Sequence, residues 1–521
     1  RDRGPFPATG QRRRPWGGAR LTLGLSAIGL LALSIWLWLE PVPSGRRVTL
    51  GVLPFENLGE EGEWDHLAVG LTEETTASLG ALDPRHLAVI GRGAMKHDGG
   101  RSRSRADGGR ELGADYLIEG SVRADHDRVR VGVKLVRVRD QVLVWSEQYD
   151  RAPAGLLDLQ SELSAAVAER LLVWLEEGRL EAAARRRTRN PQAFDLYLRG
   201  QGLLAQRTPA TNTLAIELFE RATALDPDYA LAWAAIAMTF GGSPLNADAP
   251  PLAVWHRARE AADRAVRAAP DLAEAQHAAG YIDWCFEWDW PAAEESFRRA
   301  VLLDSSFALA HLTLGHVLSQ MGRHGEAMRA TRRAREVDPR STLVHALSSQ
   351  VAFQARDYDA ALRHARDATV IDPRFWIGHM MLGQAYERLE DGDRALEALA
   401  DAMRYSNDNS KPTSLRGYVL ASTGRRDEAL AVLEDLAQRS TERYVPPYAL
   451  ALVYAGLGDG DRAFAELEAA FAVRDVHLMY LPVDAKWDAY RRDPRFTALL
   501  ERCRFTAESD GGQVRPERLD G

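Results

Sequence analysis

The sequence predicts a small α+β domain followed by an all-α solenoid of two-helix repeats, with one N-terminal transmembrane helix ahead of both. Three observations carry this: an uncharged apolar run over residues 21–39, short alternating runs between residues 47 and 150, and a turn signal that recurs at a fixed interval from Pro270 onward. A chain of 521 residues is too long for one core, which makes repeats the first thing to seek. With 45% hydrophobic and 27% charged residues it has the composition of folded protein. Its net charge of -8 offers no basic face for phosphate, so nucleic-acid binding within the chain is not expected. Cys285 and Cys503 are far apart and form no CxxC, which predicts buried core thiols rather than zinc ligands or a disulfide.

The stub 1–20 is basic, with Arg12, Arg13, Arg14 and Arg20 crowding the near end of the apolar run. As a helix rising ~1.5 Å per residue, residues 21–39 span about the hydrocarbon core of a bilayer. Trp36 and Trp38 stand at the far end, where indoles favour the interface. Cationic residues stay on the inner side, so the N-terminus is expected in the cytoplasm and everything after Glu40 across the membrane. The run exceeds the ~7–15 residues of a secretory signal, and no small-x-small site precedes Pro41, so the anchor is expected to stay uncleaved.

Beyond the linker, Val48, Leu50 and Val52 alternate with Thr49 and Gly51, a strand pattern that stops at Pro54. A helix is expected over 66–82 and a short strand over 86–90. Residues 91–109, rich in Gly, Arg and Ser and without periodicity, read as a loop. Three β-type runs follow, 116–122, 128–136 and 142–149, separated by polar turn residues, and an antiparallel meander is the simplest pairing. Leu156, Leu159, Leu163, Val167, Leu171 and Trp174 recur at helical spacing and predict a connecting helix within residues 151–190.

The runs GVLPFENL (51–58), GLTEE (70–74), GRELGADYLIEGSVR (109–123) and VWSEQYDR (144–151) resemble the TolB-like amino-terminal domain over residues 47–150. The resemblance implies a bacterial inner-membrane protein in which this domain sits between a transmembrane helix and a repeat array. It also implies a cytoplasmic effector in front: a winged-helix DNA-binding domain, an adenylate cyclase or a serine/threonine kinase. No catalytic residues come with it. The soluble part is then expected in the periplasm. A periplasm-active reporter enzyme fused after Asp150 should be active in intact cells and a cytoplasm-active one silent; the opposite pattern contradicts the topology. Because residue 1 is Arg and the stub resembles a linker, the native gene is expected to encode a winged helix or a kinase upstream.

Pro270, Ser305, Pro339 and Pro373 recur at intervals of about 34 residues, the period of tetratricopeptide (TPR) repeats. Inside that frame Gly315, Ala327 and Ala334 recur as Ala361 and Ala368, then as Gly383, Ala395 and Ala402. Small residues let the two helices of a repeat approach closely, and proline ends one helix before the next begins. Weaker copies at Ala215, Phe219 and Ala222, at Ala258 and Ala265, at Ala293 and Ala300, at Gly417 and Ala429, and at Ala463 and Ala470 bring the count to about eight over 191–477. The tail 478–521 is expected to begin with a capping helix, at about 486–500.

No catalytic, metal or cofactor signature is present: no GxxxxGK[ST], HExxH or GxSxG. His311, His316 and His324 do not share a helix face as zinc ligands would. The stretch 284–290, with Trp284, Trp288 and Trp290, reads as loop packing or, less simply, an aromatic pocket, and Arg101, Arg103 and Arg105 as a solvated loop. The candidate partner-binding groove is the concave face of the array, lined by His316, Gln320, Gln350, Gln354, Gln384 and Arg388. These donors and acceptors suit a protein or peptide ligand and differ from the lysine and asparagine set that clamps a C-terminal carboxylate. On this reading Ala327→Arg or Ala361→Arg costs several kcal/mol, whereas Gln320, on a wet groove, tolerates substitution for less than ~0.5 kcal/mol. The function expected is a membrane-anchored scaffold or sensor. The alternatives are the non-catalytic part of a kinase or cyclase, or an envelope assembly factor.

Overall fold

The structure, a computed structural model, describes residues 48–59, 65–82, 87–90, 113–125, 128–152, 188–204 and 209–505, with a few positions between 159 and 167. The apolar run 21–39, the loop 91–109 with its arginines, and most of the connecting segment lie outside the described residues. No described helix is long and apolar enough to cross a membrane.

The α/β part runs β1 (Val48–Val52), β2 (Glu56–Asn57), α1 (Asp65–Leu82), β3 (Leu87–Ile90), β4 (Tyr116–Asp125), β5 (Arg128–Arg137) and β6 (Val142–Arg151). The sheet order is β3-β1-β4-β5-β6, with β2 also paired to β4. β4, β5 and β6 form the expected antiparallel meander, whereas β1 pairs in parallel with both β3 and β4. α1 is the crossover from β1 to β3, the connection a parallel pair needs. β5 explains its own orientation: Val129, Val131, Val133 and Leu135 are shielded while Arg128, Arg130 and Lys134 point to water. Leu159, Leu163 and Val167, from the predicted connecting helix, are helical and buried in the same core.

Eight helical hairpins follow among the described residues. The first four are α2 (Pro191–Leu204) with α3 (Pro209–Leu225), α4 (Ala230–Ala247) with α5 (Pro251–Ala268), α6 (Ala273–Ile282) with α7 (Trp290–Leu303), and α8 (Ala308–Gln320) with α9 (His324–Val337). The others are α10 (Thr342–Gln354) with α11 (Tyr358–Ile371), α12 (Trp376–Arg388) with α13 (Gly392–Tyr405), α14 (Ser410–Ser422) with α15 (Arg426–Ser440), and α16 (Pro447–Gly456) with α17 (Gly460–Ala472). This is a TPR-like solenoid. Ala293, Ala327, Ala361, Ala395, Ala429 and Ala463 hold the same position in six successive hairpins, and none is more than 1% exposed. Opposite them the first helices carry Gly, Ser or Ala; a Cβ on Gly383 would lie 2.6 Å from Leu399 Cγ. The small residues therefore set the interhelix distance, as the sequence predicts.

A second periodic device stiffens the turns. Trp233, Gln276, His311, His345 and His379 each donate a side-chain N–H to the carbonyl six residues back, on Pro227, Pro270, Ser305, Pro339 and Pro373. Those carbonyls follow helix ends and would otherwise be orphans. His311 is thus structural. His324 lies apart from it, its Nδ1 3.2 Å from Ser319 Oγ.

The capping helix expected over 486–500 is divided. Two 3₁₀ turns, Val476–Tyr480 and Ala485–Tyr490, precede α18 (Pro494–Arg502), because Asp493 caps the Arg495 N–H and Pro494 starts a new helix. This segment reaches back across the array. Trp290 Nε1 donates to the Cys503 carbonyl at 3.1 Å and stacks on Phe505, and Arg474 donates to the Phe286 carbonyl at 2.7 Å. A second seam joins α4 to α14, where Ser410 N–H and Oγ–H both donate to the Asp248 carboxylate at 2.8 and 2.9 Å. Trp288 and Trp290 of the tryptophan-rich stretch after α6 pack against Phe471 and Phe505, while residues 283–287 form a π-helical turn rather than a loop; Cys285 and Cys503 are free and buried.

The α/β part is packed on the array without an intervening gap. α1 lies on α2 so closely that a Cβ on Gly70 would fall 2.6 Å from Leu198 Cδ2, and His66 pairs with Asp195 at 3.8 Å. Further along, Gly80 meets Ser306 in the turn before α8. One hydrophobic cluster runs from Leu50 in β1 through Phe194 in α2 to Trp487 in the C-terminal segment.

Candidate functional site

Each first helix turns one stripe inward. In α8 the stripe is Leu309, Thr313, His316 and Gln320; one repeat on it is Leu343, Leu347, Gln350 and Gln354, and then Ile377, Met381, Gln384 and Arg388. Spacings of three and four place such a set on one helical face. The predicted groove residues therefore do share the inner face. They are not, however, solvent-lined. The two seams and the C-terminal turns narrow the interior to a partly open cavity, and His316, Gln320, Gln350, Gln354 and Gln384 are all buried.

What remains is a cavity of about 260 Å³. His316, Gln350 and Gln384 line it, along with Leu312, Leu347, Met380 and other apolar residues from α8, α10 and α12; Tyr281 and Trp284 close one side, and Lys411, Tyr448, His477, Asp484 and Lys486 another. Gln384 Nε2 donates to Gln350 Oε1 at 2.8 Å, joining the two repeats. Gln320 Oε1 accepts from Trp284 Nε1 at 2.6 Å. Replacing Gln320 would strand that indole N–H, so its tolerance to substitution is corrected: it belongs with the costly buried polar sites, not the cheap surface ones. Arg388 does not line the cavity; it is held by Glu387 and by Tyr418 Oη at 3.1 Å.

Several buried polar atoms on this face lack partners: both amide atoms of Gln354, and Gln320 Nε2. His316 adds two ring nitrogens without a formed hydrogen bond, although the Leu347 backbone lies close. Burial pushes the His316 imidazole down to about 4, so it is neutral at pH 7. An unmet buried polar group costs about 1–3 kcal/mol, and the inner face holds several.

Three charged side chains stand in the wall: Lys486 Nζ pairs with Asp484 Oδ2 at 2.8 Å, and Lys411 stands apart from them. Its Nζ is 3.4 Å from the Leu245 carbonyl and 5.7 Å from the Trp376 ring, with no carboxylate at ion-pair distance among the described residues. Burial pushes its ammonium down to about 8, against the pull of Asp248 and Asp475. The unfolded chain holds that proton to ~10.4, so between those values the folded state binds fewer protons and stability rises with pH. Below pH 8 the charged form is a constant penalty. Lys411→Met is accordingly expected to unfold at higher urea than the parent at pH 7, with the advantage shrinking towards pH 10. An advantage that does not change with pH contradicts the assignment.

Asp475 and His477 form a buried pair, His477 Nδ1 2.7 Å from Asp475 Oδ1. It does not assemble into a nucleophile and base. Asp475 also accepts from the backbone N–H of Tyr448 and of His477, and the nearby hydroxyls of Ser410 and Ser414 donate to Asp248 and to the Lys411 carbonyl. The pair locks the first 3₁₀ turn onto α16. Lys411 stands one repeat on from Ile377, at the same stripe position, and breaks its apolar pattern; His477 and Asp484 escape sequence reasoning because they come from the aperiodic turns after the last hairpin.

Comparison with known proteins adds two sequence likenesses. Residues 46–166 match the family model of the HilA/YgeH-like transcriptional regulator, second domain. The chain is also 28% identical over 200 residues to a putative adenylate cyclase 3 of Rhizobium meliloti (strain 1021), covering 38% of this chain and 34% of the relative. The chain thus spans about a third of that relative's length. Similar solved structures include the APC/C hetero-tetramer Cut9-Hcn1 (15% identity, 67% of this chain and 63% of that one, TM-score 0.41). Another is a thermophilic TPR protein of Thermus thermophilus (25% identity, 37% of this chain and 99% of that one, TM-score 0.29). The match over 46–166 falls on the residues whose motifs resemble the TolB-like domain, under a regulator's name instead.

Proposed function

We propose that this chain is the non-catalytic recognition part of a membrane-anchored bacterial signalling protein. The helical array binds a protein partner, and the α/β part, which we read as TolB-like, passes occupancy towards the membrane helix at 21–39. The observation that carries this is the largely apolar cavity itself, whose lining includes buried ring nitrogens of His277, His316 and His477 that stand without a formed hydrogen bond. Such atoms are normally satisfied by water or ligand. A cavity of about 260 Å³ takes an inserted anchor, not an extended backbone running the length of the array. The close packing of α1 on α2 gives occupancy a stiff route to the sheet.

The likeness to a putative adenylate cyclase supports a cyclase as the effector, and the regulator match supports a transcriptional output. The test uses the full chain in detergent with envelope extract, comparing the parent with Leu347→Trp, which fills the cavity. The reading requires a protein retained by the parent and lost with Leu347→Trp while circular dichroism is unchanged. Equal retention by both overturns it.

A further inference from the structure

The fifth hairpin carries a second site, built from residues that do not line the cavity. His345 on α10 and His364 and Asp367 on α11 each bring one ligand atom to within 4.8 Å of the others. We infer that these three residues bind a divalent transition-metal ion, of the zinc class.

Four features of the geometry support this. First, His345 Nε2 donates to the Pro339 carbonyl at 2.8 Å, which puts the proton on Nε2 and leaves Nδ1 a bare lone pair. Metal-bound histidines are oriented in this way by a carbonyl on the other nitrogen. Second, both Nδ1 atoms are buried and have no hydrogen-bond partner. Third, Asp367 Oδ2 is 3.5 Å from His345 Nδ1 and 3.8 Å from His364 Nδ1. Ligands held at ~2.1 Å around a tetrahedral ion stand ~3.4 Å apart, so small side-chain shifts complete the set. Fourth, the Asp367 side chain is 54% exposed, which leaves the remaining coordination positions open to water.

The repeat supplies its own control. His379 and Asp401 reproduce the His345 and Asp367 pair in the next hairpin, with His379 Nε2 on the Pro373 carbonyl and Nδ1 4.0 Å from Asp401. At the position of His364, however, that hairpin has Ala398 and the preceding one Ala330. The histidine and its turn carbonyl are thus part of the repeat's architecture, while His364 is an addition that the architecture does not need. Two histidines and one carboxylate are a donor set for a first-row transition ion rather than for calcium or magnesium.

The charges around the site act in both directions. Burial, and then the Arg335 guanidinium from α9, push His364 down to about 4, and burial also lowers His345, so both imidazoles are neutral and free to ligate at pH 7. Arg335 and Arg363 oppose a cation, whereas Asp357 and Asp367 favour one. A bound ion would tie α10 to α11 across the hairpin.

The experiment titrates Zn²⁺ into the metal-stripped full chain by calorimetry, in parallel with His364→Ala and His379→Ala. The expected result is one equivalent bound by the parent and by His379→Ala, and at least a tenfold weakening in His364→Ala. Co²⁺ in place of Zn²⁺ should give visible absorption in the parent that His364→Ala lacks. Alanine already occupies this position in the neighbouring hairpins, so the variant keeps its fold. No saturable equivalent in the parent, or equal binding by parent and His364→Ala, overturns the site.

Discussion

Ala361→Arg is expected to unfold the array. Ala361 is fully shielded where α11 meets α10, and its carbonyl accepts the Ser349 hydroxyl at 2.7 Å. A guanidinium there has no room and no counter-charge, and overpacking together with burial of an unpaired charge costs more than about 4 kcal/mol. Each hairpin rests on its neighbours, so the loss spreads along the array rather than staying in one repeat. Urea unfolding followed by circular dichroism checks this against Leu302→Arg, at a position 82% exposed, which is expected to change stability by no more than about 0.5 kcal/mol. Equal shifts for the two would place the repeat register elsewhere.

Trp487→Ala should cost about 3–5 kcal/mol, the usual penalty for emptying a fully buried tryptophan site. Trp487 is wholly shielded; its Nε1 donates to Tyr448 Oη at 2.9 Å, and its ring lies against Tyr448, Tyr490 and Phe496. It pins the C-terminal turns onto α16. Its removal is therefore expected to loosen the seams as well as lower the melting temperature. Amide hydrogen exchange should rise first in residues 476–505 and around Asp248 and Ser410. Uniform loss of protection across the array, with no early opening at the seams, would show that the closure does not depend on this side chain.

The periodic parts of the molecule are legible in the sequence because each contact recurs locally. The alanines from Ala293 to Ala463 repeat one helix contact in hairpin after hairpin, and the alternation in residues 128–136 points every second valine at one core. The non-local parts are not legible. Nothing in residues 48–52 announces parallel pairing with β3 and β4, and the Asp248 to Ser410 contact joins positions 162 residues apart in segments without periodicity. That closure changes the meaning of the candidate site. Gln320 and Gln354 read as wet groove residues because polar side chains on an inner helix face normally meet solvent, whereas both are buried and Gln320 is covered by Trp284, which donates to it. His345 and His364 escape a search for ligand spacing because they stand on different helices, with the turn of the hairpin between them.

The central claim, that the cavity inside the array is where a partner is recognised, is tested most directly by photo-crosslinking in living cells. Benzoylphenylalanine in place of Leu347, which lines the cavity, is compared with the same residue in place of Leu302 on the outside. The account predicts a discrete covalent adduct from position 347 and none from position 302. An adduct from position 302 alone would contradict it.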